Sequence, residues 1–247
     1  MKDFDTSKAA TRGNPSFVWR EGQGRRFGML QAAAPLAGKR VLEFGCGLGT
    51  YAREMQKYSP HVFGFDIEID RVQTGVRNGV SGLLGSVGER LPFADNTFDI
   101  VFSNDVLEHV LDDRACAREI ARVVRAGGRA VIFVPNRLYF FETHGIYWRG
   151  QYHFGNKPFV NWLPDALRNK LAPHVRAYTA GGLKGLFADL PMTLIELRQI
   201  YGGFDNIVRR YSILGRVIRG AWQGLESTPL SVFGLEHLIV LEKRAVN

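Results

Sequence analysis

The chain alternates short apolar runs with stretches in which apolar residues recur every three or four positions. The runs are "RVLEF" (40–44), "HVFGFD" (61–66), "GLLGSV" (82–87), "FDIVFSN" (98–104) and "GGRAVIFVP" (127–135). Between them the spacing predicts helices near 50–58, over "RVQTGVRN" (71–78) and over about 106–125. Strands that alternate with helices indicate βαβ units on a mostly parallel sheet. Right-handed crossovers then make the sheet doubly wound, with helices on both faces. After Pro135 this rhythm stops, and residues 136–178 are aromatic, basic and irregular. A helix from Thr179, a candidate N-cap, to about Asp189 and a strand "MTLIELRQI" (192–200) restore it. A second break at 201–235 holds a predicted helix in "NIVRRYSILGRVIRGAWQGL" (206–225), and "HLIVLEK" (237–243) closes the chain as a strand. The division this predicts is an N-terminal arm (1–38), a core (39–135), an insertion (136–178), and the rest of the sheet (179–247) with a second insertion at 201–235.

Three glycines, Gly45, Gly47 and Gly49, follow the first predicted strand at every second position, with Glu43 just ahead of them. Glycine loses the most backbone freedom on folding, so three together mark a place where something approaches the backbone closely. A strand that ends in glycines and opens a helix is a ligand-binding turn. The spacing is not the G-x-G-x-x-G of dinucleotide enzymes. About 20 residues on, Asp66 ends the second strand, where a carboxylate can accept both hydroxyls of a ribose.

Four blocks, "VLEFGCGLG" (41–49), "GFDIE" (64–68), "ERLPFADNTFDIVFSNDVLEHV" (89–110) and "REIARVVRAGGRAVIFVPN" (118–136), occur in order. Together they resemble the class I S-adenosylmethionine-dependent methyltransferases, in the broad group that includes the ubiquinone-biosynthesis O-methyltransferases. The resemblance covers about 39–136. It implies a Rossmann-like sheet of seven strands with an antiparallel last strand, and S-adenosylmethionine as cofactor. It also implies that the glycines pass the methionine end and that Glu43 orients the turn and the cofactor's amino group. Asp66 would hold the ribose, Ile67 would pack on the adenine, and Asn104 would line the methyl region. Arg26, in the arm, would meet the cofactor carboxylate. One departure stands out: relatives carry Asp-Ala-Glu before "LPF", whereas this chain has Val87, Gly88 and Glu89. Val87 cannot accept from the adenine amino group; the Gly88 N–H and Glu89 are the remaining candidates.

If residues 106–125 form one helix, Asp105, Glu108 and His109 stand at i, i+3 and i+4 on one face. Removing a proton from an acceptor hydroxyl needs a positioned base or a metal, and these three are the candidates. The pattern resembles the Glu-x-x-Glu-His metal set of ubiquinone O-methyltransferases and small-RNA 2′-O-methyltransferases. A divalent ion would then sit on Asp105, Glu108 and His109, with His144 or His153 as fourth ligand. Metal-free relatives share "LEHV", so His109 as a metal-free base is the other reading, and proximity alone is a third.

Composition adds a location for charge. The chain is 247 residues with 45% hydrophobic and 23% charged residues, enough for a core without staples. Two cysteines give neither a disulfide framework nor a zinc spacing. With a polar start and no long apolar run, the expectation is a cytoplasmic protein. Of the net charge of +8, residues 136–235 carry a surplus of six, with 12 Lys/Arg against 6 Asp/Glu, and 16 of the 29 aromatics. Such a cap suits a small or lipid-like acceptor (phenolic, isoprenoid or anionic). The stretch 206–225 sets Ile207, Tyr211, Leu214, Ile218 and Trp222 against Arg209, Arg216 and Arg219. It reads either as an apolar face packed on the sheet or as a peripheral membrane contact. "SNDV" in place of Asn/Asp-Pro-Pro-Tyr, and no appended RNA-binding motif, speak against nucleic acid. The expected function is methyl transfer to a hydroxyl oxygen, with RNA 2′-O-methylation or a catalytically silent scaffold as alternatives. The sequence does not specify the acceptor, the acceptor atom or the oligomeric state.

Overall fold

Apolar strand residues on both sides of a sheet require cover on both sides, and the observed architecture supplies it. The computed structural model describes residues 19–203 and 205–245. The start of the predicted arm (1–18), and the side chains of Ile207 and Arg209, lie outside the described residues. The strands are β1 (Val41–Phe44), β2 (Val62–Asp66), β3 (Leu83–Gly85), β4 (Phe98–Asn104) and β5 (Val124–Pro135). The insertion adds β6 (Phe141–Glu142), β7 (Ile146–Trp148), β8 (Gln151–His153) and β9 (Lys157–Pro158), and β10 (Met192–Ile200) and β11 (Glu236–Lys243) close the chain. Seven of them form one sheet in the order β10-β11-β5-β4-β1-β2-β3. β1 to β5 pair in parallel, while β11 runs antiparallel between β5 and β10. The last strand is therefore antiparallel, as expected, and is inserted within the sheet.

The helices are α1 (Glu21–Ala33), α2 (Thr50–Met55), α3 (Ile69–Arg77), α4 (Asp113–Val123), α5 (Asp165–Leu171), α6 (Ala180–Leu186), α7 (Asp205–Arg210) and α8 (Ser212–Gly224). On one face Cys116 and Ile120 of α4 and Leu183 of α6 pack with Leu42, Phe44 and Ile132. On the other, Leu30 of α1 and Met55 of α2 pack with Val41, Phe102 and Phe133. All of these side chains are fully buried. Thr179 caps α6 as expected, its hydroxyl accepting from the Gly182 N–H at 3.0 Å.

The predicted helix over 106–125 is corrected. α4 starts only at Asp113, and residues 105–111 are turns. Asp105 takes a left-handed φ of +55°, which stops the chain from entering a helix directly from β4. Asp112 supplies the cap instead, its carboxylate accepting from the Ala115 N–H at 2.9 Å. The predicted helix over 206–225 is likewise two helices, broken at Tyr211.

The insertion at 136–178 is ordered by a buried ion pair rather than by a long sheet. β6 pairs with β9 and β7 with β8, each over two or three residues. Arg168 of α5 donates from Nη2 to Glu142 Oε2 at 2.7 Å, from Nη1 to the Val175 carbonyl at 2.6 Å, and from Nε to Asn161 Oδ1 at 3.3 Å. Both charged side chains are 3% exposed. Burial works against the Glu142 charge, but the bonds from His144 and the Arg168 guanidinium outweigh it and hold the carboxyl below its ordinary range. The pair's contribution is thus full above the ordinary glutamate pKa of about 4.3 and is lost as the pH falls through the lower folded value. Arg168→Leu strands a buried carboxylate. It should lower unfolding stability by about 3–5 kcal/mol in urea titrations at pH 7. A midpoint equal to wild type would contradict this role.

Candidate active site

Two carboxylates shape the turn after β1. Asp66, at the end of β2, accepts from the Gly47 N–H at 2.9 Å through Oδ2 and from the Glu68 N–H at 2.9 Å through Oδ1. Glu43, buried in β1, accepts from the Ala52 N–H at 2.7 Å and so ties α2 back over the strand. Burial raises the Glu43 carboxyl well above its ordinary range, and the Asp66 charge adds to the shift. Gly45 and Gly49 both lie at positive φ, +79° and +72°. A Cβ on Gly45 would stand 2.4 Å from Val106 Cγ2, and one on Gly49 would stand 2.9 Å from Leu83 Cδ1. Gly45 and Gly47 line the main cavity, whereas Gly49 faces Val80 and Leu83 and serves packing.

That cavity, about 850 Å³, lies at the carboxyl ends of the parallel strands. Asp66, Ile67, Val87, Gly88 and Glu89 form one end, and Ile67 and Val87 are 48% and 41% exposed. Glu89 is partly committed, its Oε1 accepting from the Leu111 N–H at 3.1 Å. Glu43, Asn104, Asp105 and the ring of Tyr51 border the middle. His109, His144, Tyr152 and Phe154 close the other end under the insertion. Arg26 reaches the cavity from α1, but its guanidinium is held by Glu236, with Nε to Oε2 at 2.7 Å and Nη2 on Oε1. Burial opposes the Arg26 charge; Glu236 and Asp105 more than restore it.

The three predicted catalytic residues do not share a helical face. Asp105 turns to Asn104, whose Nδ2 donates to its Oδ2 at 2.7 Å, while Asn104 Oδ1 is buried without a partner. Glu108 and His109 lie in the turn beyond, with His109 Nε2 4.0 Å from Glu108 Oε1. His144 joins them from the insertion: ligand atoms of Glu108, His109 and His144 all lie within 4.8 Å of one another. Among the described residues, Asp105 and His153 are not part of this cluster; His153 sits exposed on β8. The left-handed Asp105 interrupts the backbone between β4 and the turn that carries Glu108 and His109, and its carboxylate is bonded by Asn104.

Electrostatics within the cluster are unusual. Glu108 is buried and neither of its carboxylate oxygens accepts a hydrogen bond. Burial, then the Asp105 charge, pushes its carboxyl well above the ordinary range. Burial, with His144 adding, pushes the His109 imidazole down to about 3, so the ring is neutral at pH 7. His144 is oriented by Glu142, whose Oε1 accepts from the His144 backbone N–H at 2.9 Å and pairs with its Nδ1 at 3.1 Å. Sequence spacing gave no sign of Arg168, Tyr51 or Glu236, whose contacts are distant in the chain, nor of Glu142, which joins Arg168 to the nearby His144.

Residues 42–132 match the family described as a methyltransferase domain. Over these residues, which make up well under half of the chain, it is similar to class I S-adenosylmethionine-dependent methyltransferases. It is 32% identical over 131 residues to a demethylmenaquinone methyltransferase of Corynebacterium kroppenstedtii, covering 53% of this chain and 54% of that one. It is 31% identical over 118 residues to a ubiquinone biosynthesis O-methyltransferase of Mesorhizobium japonicum, covering 45% and 47%. The chain thus spans about half the length of these relatives. Among solved structures, an S-adenosylmethionine-dependent methyltransferase from Mesorhizobium loti superposes with a TM-score of 0.60, at 16% identity, over 87% of this chain and 96% of that one. The cyclase SpnF superposes with a TM-score of 0.61, also at 16% identity, over 96% and 86%. At that identity both show the shared Rossmann-like fold, and the chemistry must be argued from the site.

Gly45→Ala tests the turn. The left-handed backbone costs a residue with a Cβ about 1–2 kcal/mol, and Val106 must also move. The thermal midpoint should fall by about 4 °C or more. An unchanged midpoint would mean that the turn is not held as described.

Proposed function

We propose that the chain transfers a methyl group from S-adenosylmethionine to a small or lipid-like acceptor, at a hydroxyl oxygen. The observation that carries this reading is a single cavity that runs from Asp66 and the glycine turn to the His109 and His144 rings. Asp66 retains lone pairs after its two backbone bonds, so it can accept from ribose hydroxyls. Ile67 and Val87 offer apolar surface to an adenine ring, and Gly88 and Glu89 supply its polar contacts. The unpartnered Asn104 Oδ1 and the Glu43 carboxyl serve the methionine end. Arg26 reaches the cofactor carboxylate only by sharing its guanidinium with Glu236. When bound, the cofactor supplies an electrophilic methyl group, and the protein's part is alignment of the acceptor and removal of its proton. The names of the two relatives, which concern menaquinone and ubiquinone, support a quinone-like or phenolic acceptor. The aromatic insertion at the far end of the cavity supports it too.

The unpartnered Glu108 carboxylate favours a second reading, in which Glu108, His109 and His144 hold a divalent cation. A neutral imidazole is the ligating form, and a carboxylate with no other partner gains its charge when a cation arrives. When bound, the cation would supply Lewis-acid activation of a hydroxyl. His109 is a weak base by itself, its conjugate acid lying near 3. This leaves either the cation or simple proximity to assist the transfer.

Calorimetric titration with S-adenosylhomocysteine tests the main reading. Wild type should bind in the micromolar range, and Asp66→Ala should bind about 10–100-fold more weakly, since charge-assisted bonds are lost. No binding by wild type would overturn it. Titration with manganese or zinc tests the second reading: stoichiometric binding should occur in wild type and be lost in Glu108→Gln. Equal binding by both proteins, or by neither, would remove the cation site.

A further inference from the structure

α8 is amphipathic with two apolar sides, only one of which the protein uses. Its inner side packs: Gly215 is buried, the Trp222 ring stands 5.3 Å from that of Tyr201, and Arg219 is paired with Glu21 of α1. Its outer side carries Ile213, Leu214 and Val217, which are 71%, 58% and 63% exposed. These three lie at i, i+1 and i+4 and form one stripe, which exposed Ala221 continues. The sequence-based expectation that the apolar face packs on the sheet does not hold for Leu214, which faces outward, and Trp222 packs instead on the ring of Tyr201, just beyond β10.

Charge says what the stripe fits. Residues 206–224 contain four arginines, Arg209, Arg210, Arg216 and Arg219, and no acidic residue. Arg210 and Arg216 are exposed on the described surface, and Tyr211, 51% exposed, lies against the Arg210 guanidinium at 5.5 Å. A helix with aliphatic side chains outward, an aromatic at its edge and arginines beside it has the make-up of an interfacial membrane helix. At 13 residues it is far too short to span a bilayer, and no described helix is long and apolar enough to do so. A second copy fits less well, because a two-fold contact through this stripe would bring each set of arginines toward its equivalent.

We propose that the outer face of α8 docks this chain on an anionic lipid surface, with Ile213, Leu214 and Val217 in the headgroup–acyl boundary and the exposed Arg210 beside them on lipid phosphates. Gly202, Gly203 and Asp205, which lead into α7 and α8, line the main cavity. Docking therefore sets the cavity next to the lipid, where an isoprenoid or other lipid-like acceptor resides. The docking surface itself does not rest on the methyl-transfer reading.

Vesicle flotation of the full chain tests it, with vesicles of neutral phosphatidylcholine and of phosphatidylcholine mixed with phosphatidylglycerol. Wild type should float with the anionic vesicles and lose most of that binding in high salt. Ile213→Asp/Val217→Asp should cut the bound fraction by at least about tenfold. Arg210→Gln should weaken anionic binding by roughly fivefold. Because these side chains are exposed, the thermal midpoint and S-adenosylhomocysteine binding should match wild type, which separates lost docking from lost folding or a lost cofactor site. Wild type that floats with neither vesicle, or variants that float as well as wild type, would overturn the proposal. So would a concentration-dependent dimer in sedimentation that Ile213→Asp/Val217→Asp abolishes.

Discussion

A carboxylate at the end of one strand holds the turn at the end of its neighbour, and the site is arranged around that contact. Asp66 bonds the Gly47 N–H across the β1–β2 edge, so the glycine turn cannot swing without breaking a charge-assisted hydrogen bond. Glu43 fixes the other side of the same turn through Ala52. With the turn pinned from both sides, the left-handed backbone at Gly45 is over-determined, and Val106 packs where any side chain on Gly45 would stand. The cavity wall is thus the product of two strand-end acids and one missing Cβ.

The far end of the cavity is built differently. Its geometry comes from the insertion, which has little sheet and relies on the buried Glu142–Arg168 pair. One oxygen of Glu142 takes Arg168 and the other orients His144, so the pair that orders the insertion also aims an imidazole at Glu108 and His109. Glu108, buried with neither oxygen accepting a hydrogen bond, is a group that burial penalises. Ordinary core positions carry no such cost. That contrast is the physical mark of the site.

The sheet was legible because strand-length apolar runs, bounded by glycine, proline and aspartate, differ in period from the helices between them. β10 begins and ends where its pattern does, and Thr179 caps α6 as its position implied. The stretch after β4 was not legible. "NDVLEHV" has helical spacing, and nothing local reveals that Asp105 adopts a left-handed φ and delays the helix until Asp113. The grouping of Asp105 with Glu108 and His109 failed with that assumption, while His144, one of the two histidines offered as a further ligand, does lie beside Glu108 and His109. The places of Asp66 at the end of β2 and of the glycines in a turn beside the cavity were readable because both are local to strand ends. Glu236 against Arg26, 210 residues apart, was not, since long-range pairing leaves no periodic trace. The exposed stripe on α8 was half readable: amphipathicity is a sequence property, but which side is covered is not.

The most direct test of the central claim is a crystal structure of the chain with S-adenosylhomocysteine bound. The account predicts ribose hydroxyls on Asp66, the adenine between Ile67 and Val87, and the thioether sulfur facing the end of the cavity that holds Asn104, His109 and His144. A ligand bound away from Asp66, or a sulfur directed away from that cluster, would contradict it.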